Sequence, residues 1–175
     1  MIHGVTLVEL TPHGDERGTF LETFRREWVP GAREMIQANV VTRVANSIVG
    51  LHFHLHQADY WYIAAGKARV VLHDLRVGSP TEGETSYFDL GPPVAQGLFI
   101  PPGVAHGFAA LTDMTITYLV DGYYNPADEL GLAWDDPELA LDWGVSAPVL
   151  SSRDQQNPKR AEIAERVRPV FPLRT

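Results

Sequence analysis

Apolar and polar residues alternate in short runs along most of this chain, and glycine or proline interrupts them at frequent intervals. Runs of that length and period suit β-strands, in which successive side chains point to opposite faces. Residues 5–10 (VTLVEL) predict a first strand. Residues 19–24 (TFLETF) predict a second, after a polar turn at 13–18. The β-branched run 37–45 (QANVVTRVA), then 68–76 (ARVVLHDLR) and 115–120 (TITYLV), predict three more. Shorter strands are expected at 86–90 and at 97–100, the latter ending in Pro101-Pro102-Gly103, and 105–110 leads toward the strand at 115. Pro30 and Gly31 predict irregular chain over 25–34. Beyond Ala127 the chain is acidic, with apolar patches at Leu130, Leu132 and Trp134 and again at Leu139, Leu141 and Trp143; only 158–168 has helix-like composition. Repeats, linkers and low-complexity tracts are absent. Many short strands with Gly/Pro punctuation predict an all-β sandwich or barrel in a single domain over 1–175, closed by a short C-terminal helical segment.

The stretch from Gly50 to Gly66, GLHFHLHQADYWYIAAG, organises this pattern. His52, His54 and His56 fall at every second position and are predicted to share one face of a strand, with Leu51, Phe53 and Leu55 on the other. Both faces call for burial, which puts the strand between two layers. Asp59 follows, and Gly66 ends the segment in a turn. Three imidazoles and a carboxylate on one inward wall point to a polar pocket rather than a plain core.

Composition narrows the choice of partners. The formal net charge of −8 disfavours nucleic acid, since phosphate backbones require a basic face. A small phosphorylated ligand needs only a few local cations. The chain has no cysteine, so thiolate chemistry and disulfides are excluded. Its first residues, MIHGVTLVEL, lack the basic and apolar regions of a signal peptide. No apolar run approaches the roughly 18 residues of a membrane span. A cytoplasmic protein that does not associate with membranes is expected. The need to protect sheet edges, and the apolar set Leu51, Phe53 and Leu55, predict a homodimer.

Two segments resemble the paired motifs of the cupin superfamily of jelly-roll barrels: His52-Phe53-His54 with Asp59 and Gly66, and Pro101-Pro102-Gly103-Val104-Ala105-His106. Over nearly its whole length the chain resembles the dTDP-4-dehydrorhamnose 3,5-epimerase family, as an atypical member. The matches, in order, include Asp15-x-Arg17-Gly18-x-Phe20-x-Glu22, Gln37-x-Asn39, Gly50-Leu51-His52-Phe53, Asp74-Leu75-Arg76 and Gly78-Ser79-Pro80-Thr81. Further along come Ile100-Pro101-x-Gly103-x-Ala105-His106-Gly107-Phe108, Tyr118, Tyr124-Asn125-Pro126, Trp134-x-Asp136-Pro137, Asp142-Trp143 and Leu150-Ser151-x-x-Asp154. The resemblance implies a cupin-type jelly-roll barrel acting on a nucleotide-linked, dTDP-type 4-keto-6-deoxyhexose. It implies inversion at C3, C5 or both, without a cofactor. Carried over residue by residue, it implies a catalytic base at His52, an acid holding that base at Asp154, and a proton-donating Tyr118. Arg17, Glu22, Gln37 and Asn39 match nucleotide and diphosphate contacts; His106 and Tyr124 match positions near the sugar.

Three departures stand out. Val49 occupies the place of the family's arginine. The lysine that usually follows the histidine loop, near the developing oxyanion, has no counterpart, and Asp59 and Tyr60 occupy that neighbourhood. His54 and His56 are additions, so His54, His56 or His106 would have to serve the oxyanion. Epimerisation beside a ketone needs a base near neutrality, which suits His52, and an acid on the opposite ring face, which suits Tyr118. Two alternatives stay open: a metal-dependent cupin enzyme with His52, His54, Asp59 and His106 as ligands, and a non-catalytic sugar-nucleotide binding module. Base and ligand roles compete for His52, and the expectation is a site without metal.

Overall fold

Two five-stranded antiparallel sheets face each other, and their inner side chains interdigitate. The computed structural model describes residues 1–172 of the 175. In chain order the strands are β1 (Thr6–Glu9), β2 (His13–Asp15), β3 (Gly18–Phe20), β4 (Gln37–Arg43), β5 (Ile48–Phe53) and β6 (Asp59–Ala65). They continue with β7 (Ala68–Asp74), β8 (Thr85–Leu90), β9 (Gln96–Ile100), β10 (Val104–Ala110), β11 (Met114–Val120) and β12 (Leu130–Gly131). One sheet runs β1-β9-β6-β11-β4, the other β12-β5-β10-β7-β8, and β2-β3 forms a separate hairpin. This is the expected jelly-roll barrel.

Between the sheets Trp61, Ile63, Leu98, Ile100 and Ile116 pack against Val70, Leu72, Leu90, Val104 and Phe108. At roughly 1.5–3 kcal/mol for each fully buried large apolar side chain, this layer is the main favourable term in the fold. The sequence reading placed Gly50 to Gly66 in one histidine strand. The structure divides it: β5 lies in one sheet and β6 in the other, so the stretch crosses the barrel. The crossing occurs where the Asp128 carboxylate accepts hydrogen bonds from the amides of Leu55 (2.6 Å) and His56 (3.1 Å) and turns the backbone out of the β5 register. Strand β5 approaches β10 closely. A Cβ on Gly50 would lie 2.7 Å from the His106 carbonyl oxygen, and one on Gly107 would lie 2.5 Å from that of Val49. The two glycines thus permit the pairing that sets His52 opposite His106.

Three further expectations are corrected. The polar turn at 13–18 is the β2-β3 hairpin, and the second strand ends at Phe20 rather than 24. The C-terminal helical segment consists only of 3-10 turns, Arg160–Glu162 and Glu165–Val167, with no α-helix among the described residues. Each three-residue turn is too short to bury an apolar stripe of its own. Leu51 and Phe53 do not face a partner, because the chain's own segment covers them: Leu132 and Trp143, with Leu130, Leu139 and Leu141, pack on them and on Val71 and Ala109. Among the described residues no helix is long and apolar enough to cross a membrane.

One buried ion pair pins the far end of β7. Asp74 is 0 % exposed and Arg76 2 %. The Arg76 guanidinium donates to Asp74 through Nε (2.7 Å) and Nη2 (2.8 Å), while Ser79 Oγ (2.6 Å) and Thr81 Oγ1 (2.7 Å) donate to the same carboxylate. Burial alone would raise the Asp74 pKa, but these donors outweigh it and hold it at about 2. Its folded pKa lies below the unfolded value of about 3.9, so its stabilisation is full above that value and is lost as pH falls toward 2. We predict that Asp74→Ala lowers unfolding stability by about 3–5 kcal/mol in urea titrations at pH 7, because Arg76 is left buried and unpaired. Between pH 5 and pH 3 the parent should lose more stability than Asp74→Asn; equal losses would contradict the assignment.

Candidate active site

A cavity opens between the sheets, and its wall follows the strand period. On β4 the alternate residues Gln37, Asn39, Val41 and Arg43 line it, while Ala38, Val40 and Thr42 face solvent. Tyr118 on β11, beside Asn39 in register, lines the same wall. Asp59 and Trp61 enter from β6. The opposite sheet contributes His52 from β5 and His106 from β10, and His54 lies just past the end of β5.

His52 is held from behind. Its Nε2 lies 2.6 Å from Asp154 Oδ1, and Asp154 Oδ2 accepts from Ser151 Oγ at 2.7 Å. Asp154 begins the 3-10 turn Asp154–Gln156 and is buried. Burial pushes its pKa up, but the hydrogen bonds from His52 and Ser151 prevail and keep it below the usual carboxylate range. An ionised carboxylate only accepts, so Nε2 carries a proton, and in the neutral ring Nδ1 holds the lone pair. Across the barrel, burial first and then the charge of Asp59 raise the Tyr118 pKa above its ordinary 10, so the phenol keeps its proton near neutrality. His52 and Tyr118 therefore stand on opposite walls of one cavity.

A second group lines the same cavity. His54 Nδ1 donates to the Asp128 carbonyl at 2.8 Å, and His106 Nδ1 donates to the Val104 carbonyl at 2.9 Å. Asp59 accepts from Gln57 Nε2 (2.9 Å) and Trp61 Nε1 (3.0 Å). One donor atom from each of His54, Asp59 and His106 lies within 4.8 Å of the others. Burial pushes the His106 pKa down to about 4, so its imidazole is neutral.

The sequence profile described as dTDP-4-dehydrorhamnose 3,5-epimerase matches residues 1–162. The chain belongs to the dTDP-4-dehydrorhamnose 3,5-epimerase family. It is 38% identical over 149 residues to the spore coat polysaccharide biosynthesis protein SpsL of Bacillus subtilis, covering 83% of this chain and 98% of that protein. Its fold matches that of NovW, a 4-keto-6-deoxy sugar epimerase of Streptomyces spheroides, with a TM-score of 0.91 and 34% identity over 97% of this chain and 90% of that one. It also matches the epimerase RmlC of Legionella pneumophila, solved in complex with dTDP-4-keto-L-rhamnose, with a TM-score of 0.91 and 30% identity over 97% and 95% of the two chains. The expected family and the assignment to isomerases are thereby borne out.

Within this epimerase the expected site residues separate into two sets. Gln37, Asn39, His52, His54, His106 and Tyr118 come together in the cavity, Tyr124 stands exposed at its mouth, and Asp154 backs His52. His56 does not join them. It is exposed, because β5 ends at Phe53 and the Asp128 contacts rotate the next residues out of the alternation. Arg17 and Glu22 also stand outside the cavity of their own chain. Arg17 pairs with Asp15 on the exposed β2-β3 hairpin, and Glu22 pairs with Arg25 at 2.6 Å.

Arg43, Trp61 and Glu129 are among the cavity residues that went unnoticed in the sequence. Arg43 continues the Gln37, Asn39 alternation on β4, and Trp61 follows Asp59 at the same period, so both were legible by counting in twos. Glu129, paired with Arg153 at 2.5 Å, lies in an irregular segment with no period to reveal it.

Proposed function

We propose that this epimerase inverts C3, C5 or both in a dTDP-linked 4-keto-6-deoxyhexose by proton transfer through an enolate. The carrying observation is the His52–Asp154 pair facing Tyr118 across the cavity. His52 Nδ1 takes the proton from the carbon beside the ketone, and the Asp154 carboxylate stabilises the resulting imidazolium. The C–H electron pair becomes a C=C bond as the carbonyl pair moves onto oxygen. Tyr118 then donates its proton to the opposite face, the C=O bond re-forms, and solvent restores both residues. Positioned acid–base groups of this kind contribute about 10²–10⁴-fold each.

In this reading Gln37 and Asn39 contact the nucleotide end. Arg43, on the same wall, supplies the phosphate cation that Val49 cannot. The chain works as a homodimer. Strand β4 is a sheet edge, and Val40 on its outer face is 69% exposed, with Ile36 and Val44 exposed beside it. Such an edge calls for a partner. Arg17 and Glu22, outside their own cavity, serve that of the second copy. A cytoplasmic setting fits this substrate class, because a charged diphosphate does not cross a bilayer unaided.

Three expectations follow. In heavy water, NMR of dTDP-4-keto-6-deoxyglucose should show deuterium entering C3, C5 or both. His52→Ala should abolish that exchange, and Tyr118→Phe should slow inversion by about 100-fold while exchange persists. Exchange that survives His52→Ala would rule out the assigned base. Arg43→Gln should raise KM by about 10-fold with little change in kcat, as loss of uniform binding requires. Light scattering at micromolar concentration should give twice the mass of one chain; a monomer would contradict the edge pairing.

A further inference from the structure

Proton transfer by His52 and Tyr118 leaves His54, Asp59 and His106 without a task. All three are buried, and one donor atom from each lies within 4.8 Å of the others. They come from three places, the chain just after β5, the start of β6, and β10, so both sheets fix their separation.

Two observations point to what this group holds. The first is the state of the imidazoles. Each donates Nδ1–H to a backbone carbonyl, Asp128 for His54 and Val104 for His106, so Nε2 is the nitrogen that each ring leaves for a ligand. Among the described residues neither Nε2 has a hydrogen-bond partner. A carbonyl on the far nitrogen is the arrangement that fixes the tautomer of a metal-ligating histidine. The second is the isolation of Asp59. It is 4% exposed, and its side-chain partners are the neutral donors Gln57 and Trp61. Other buried acids are held differently: Asp74 by Arg76, Asp154 by His52, Asp128 by the amides of Leu55 and His56. A buried carboxylate without a cation is costly, and the two neutral donors leave each oxygen a further lone pair.

We propose that His54, Asp59 and His106 form a binding site for a divalent first-row transition-metal ion whose open positions face the cavity. Two neutral imidazoles and one carboxylate suit Fe(II), Mn(II), Co(II) or Zn(II). His52 is not a ligand, because its Nε2 is committed to Asp154. The competition between base and ligand roles anticipated for His52 does not arise in this arrangement, which departs from the expectation of a site without metal. Resting on the epimerase reading, the bound ion supplies the positive charge that relatives draw from the missing lysine. Held by His54, Asp59 and His106, such an ion would offer Lewis-acid stabilisation of a developing oxyanion, while His52 holds the abstracted proton and Tyr118 supplies the new one, with no change in oxidation state.

The test is titration of chelator-stripped protein with Co(II) alone, followed by visible absorption and calorimetry. One Co(II) per chain should bind. His54→Gln, His106→Gln and Asp59→Asn should each weaken binding by about 100-fold or more, beyond the 10–100-fold typical of outer-shell changes. His52→Ala should bind as the parent does. Circular dichroism checks that each variant folds, and His54→Ala and His106→Ala replace any that does not. Absence of stoichiometric Co(II), Zn(II) and Mn(II) binding overturns the site, as does loss of binding in His52→Ala. Deuterium exchange into the sugar nucleotide, compared between stripped and Co(II)-loaded protein, tests the role. Faster exchange in the loaded form supports it, and equal exchange overturns it. Binding without exchange in either form overturns the epimerase reading and leaves the metal site standing.

Discussion

A buried imidazole has two ring nitrogens, and a fold that encloses it must decide what each one meets. That constraint governs the centre of this protein. Asp154 takes Nε2 of His52, the Asp128 carbonyl takes Nδ1 of His54, and the Val104 carbonyl takes Nδ1 of His106. The acceptors differ in kind and in the nitrogen they engage. The carboxylate behind His52 rewards an imidazolium, as a base requires. The neutral carbonyls behind His54 and His106 reward a neutral ring with a free Nε2. Three histidines in one cavity are thereby held in two ways.

The acceptors explain why the irregular C-terminal third matters to the barrel. Asp128 bonds His54 through its carbonyl, while its carboxylate turns the chain at Leu55 and His56. Asp154 backs His52 from a 3-10 turn. The same third covers Leu51 and Phe53 with Leu132 and Trp143. Packing outside the sheet and tautomer control inside it are therefore coupled through β5, whose residues alternate between the two.

Much of this was legible in the sequence, and the failures share a cause. Strands on β-branched, alternating runs such as 37–45 and 115–120 were found because both faces of the period are visible locally. The His52–Asp154 pair emerged from family motifs 102 residues apart, not from any local pattern. His56 was misplaced because alternation was carried past Phe53, where a distant carboxylate ends the strand. The outward apolar set was read as a dimer face because nothing near Leu51 announces that residues near 132 and 143 will cover it. Arg17 and Glu22 match a motif, yet their own chain leaves them on its surface. Contacts between residues distant in sequence decided the place of His56 and the cover on Leu51.

The account rests on how protons are distributed over the three imidazoles, and long-range ¹H–¹⁵N NMR of histidine side chains reads that directly. In metal-free protein, at a pH where the rings are neutral, His54 and His106 should carry the proton on Nδ1, and His52 should carry its proton on Nε2. Asp154→Asn should disturb the His52 signals alone. A neutral ring at His54 or His106 with its proton on Nε2 would contradict the division of labour described for this cavity.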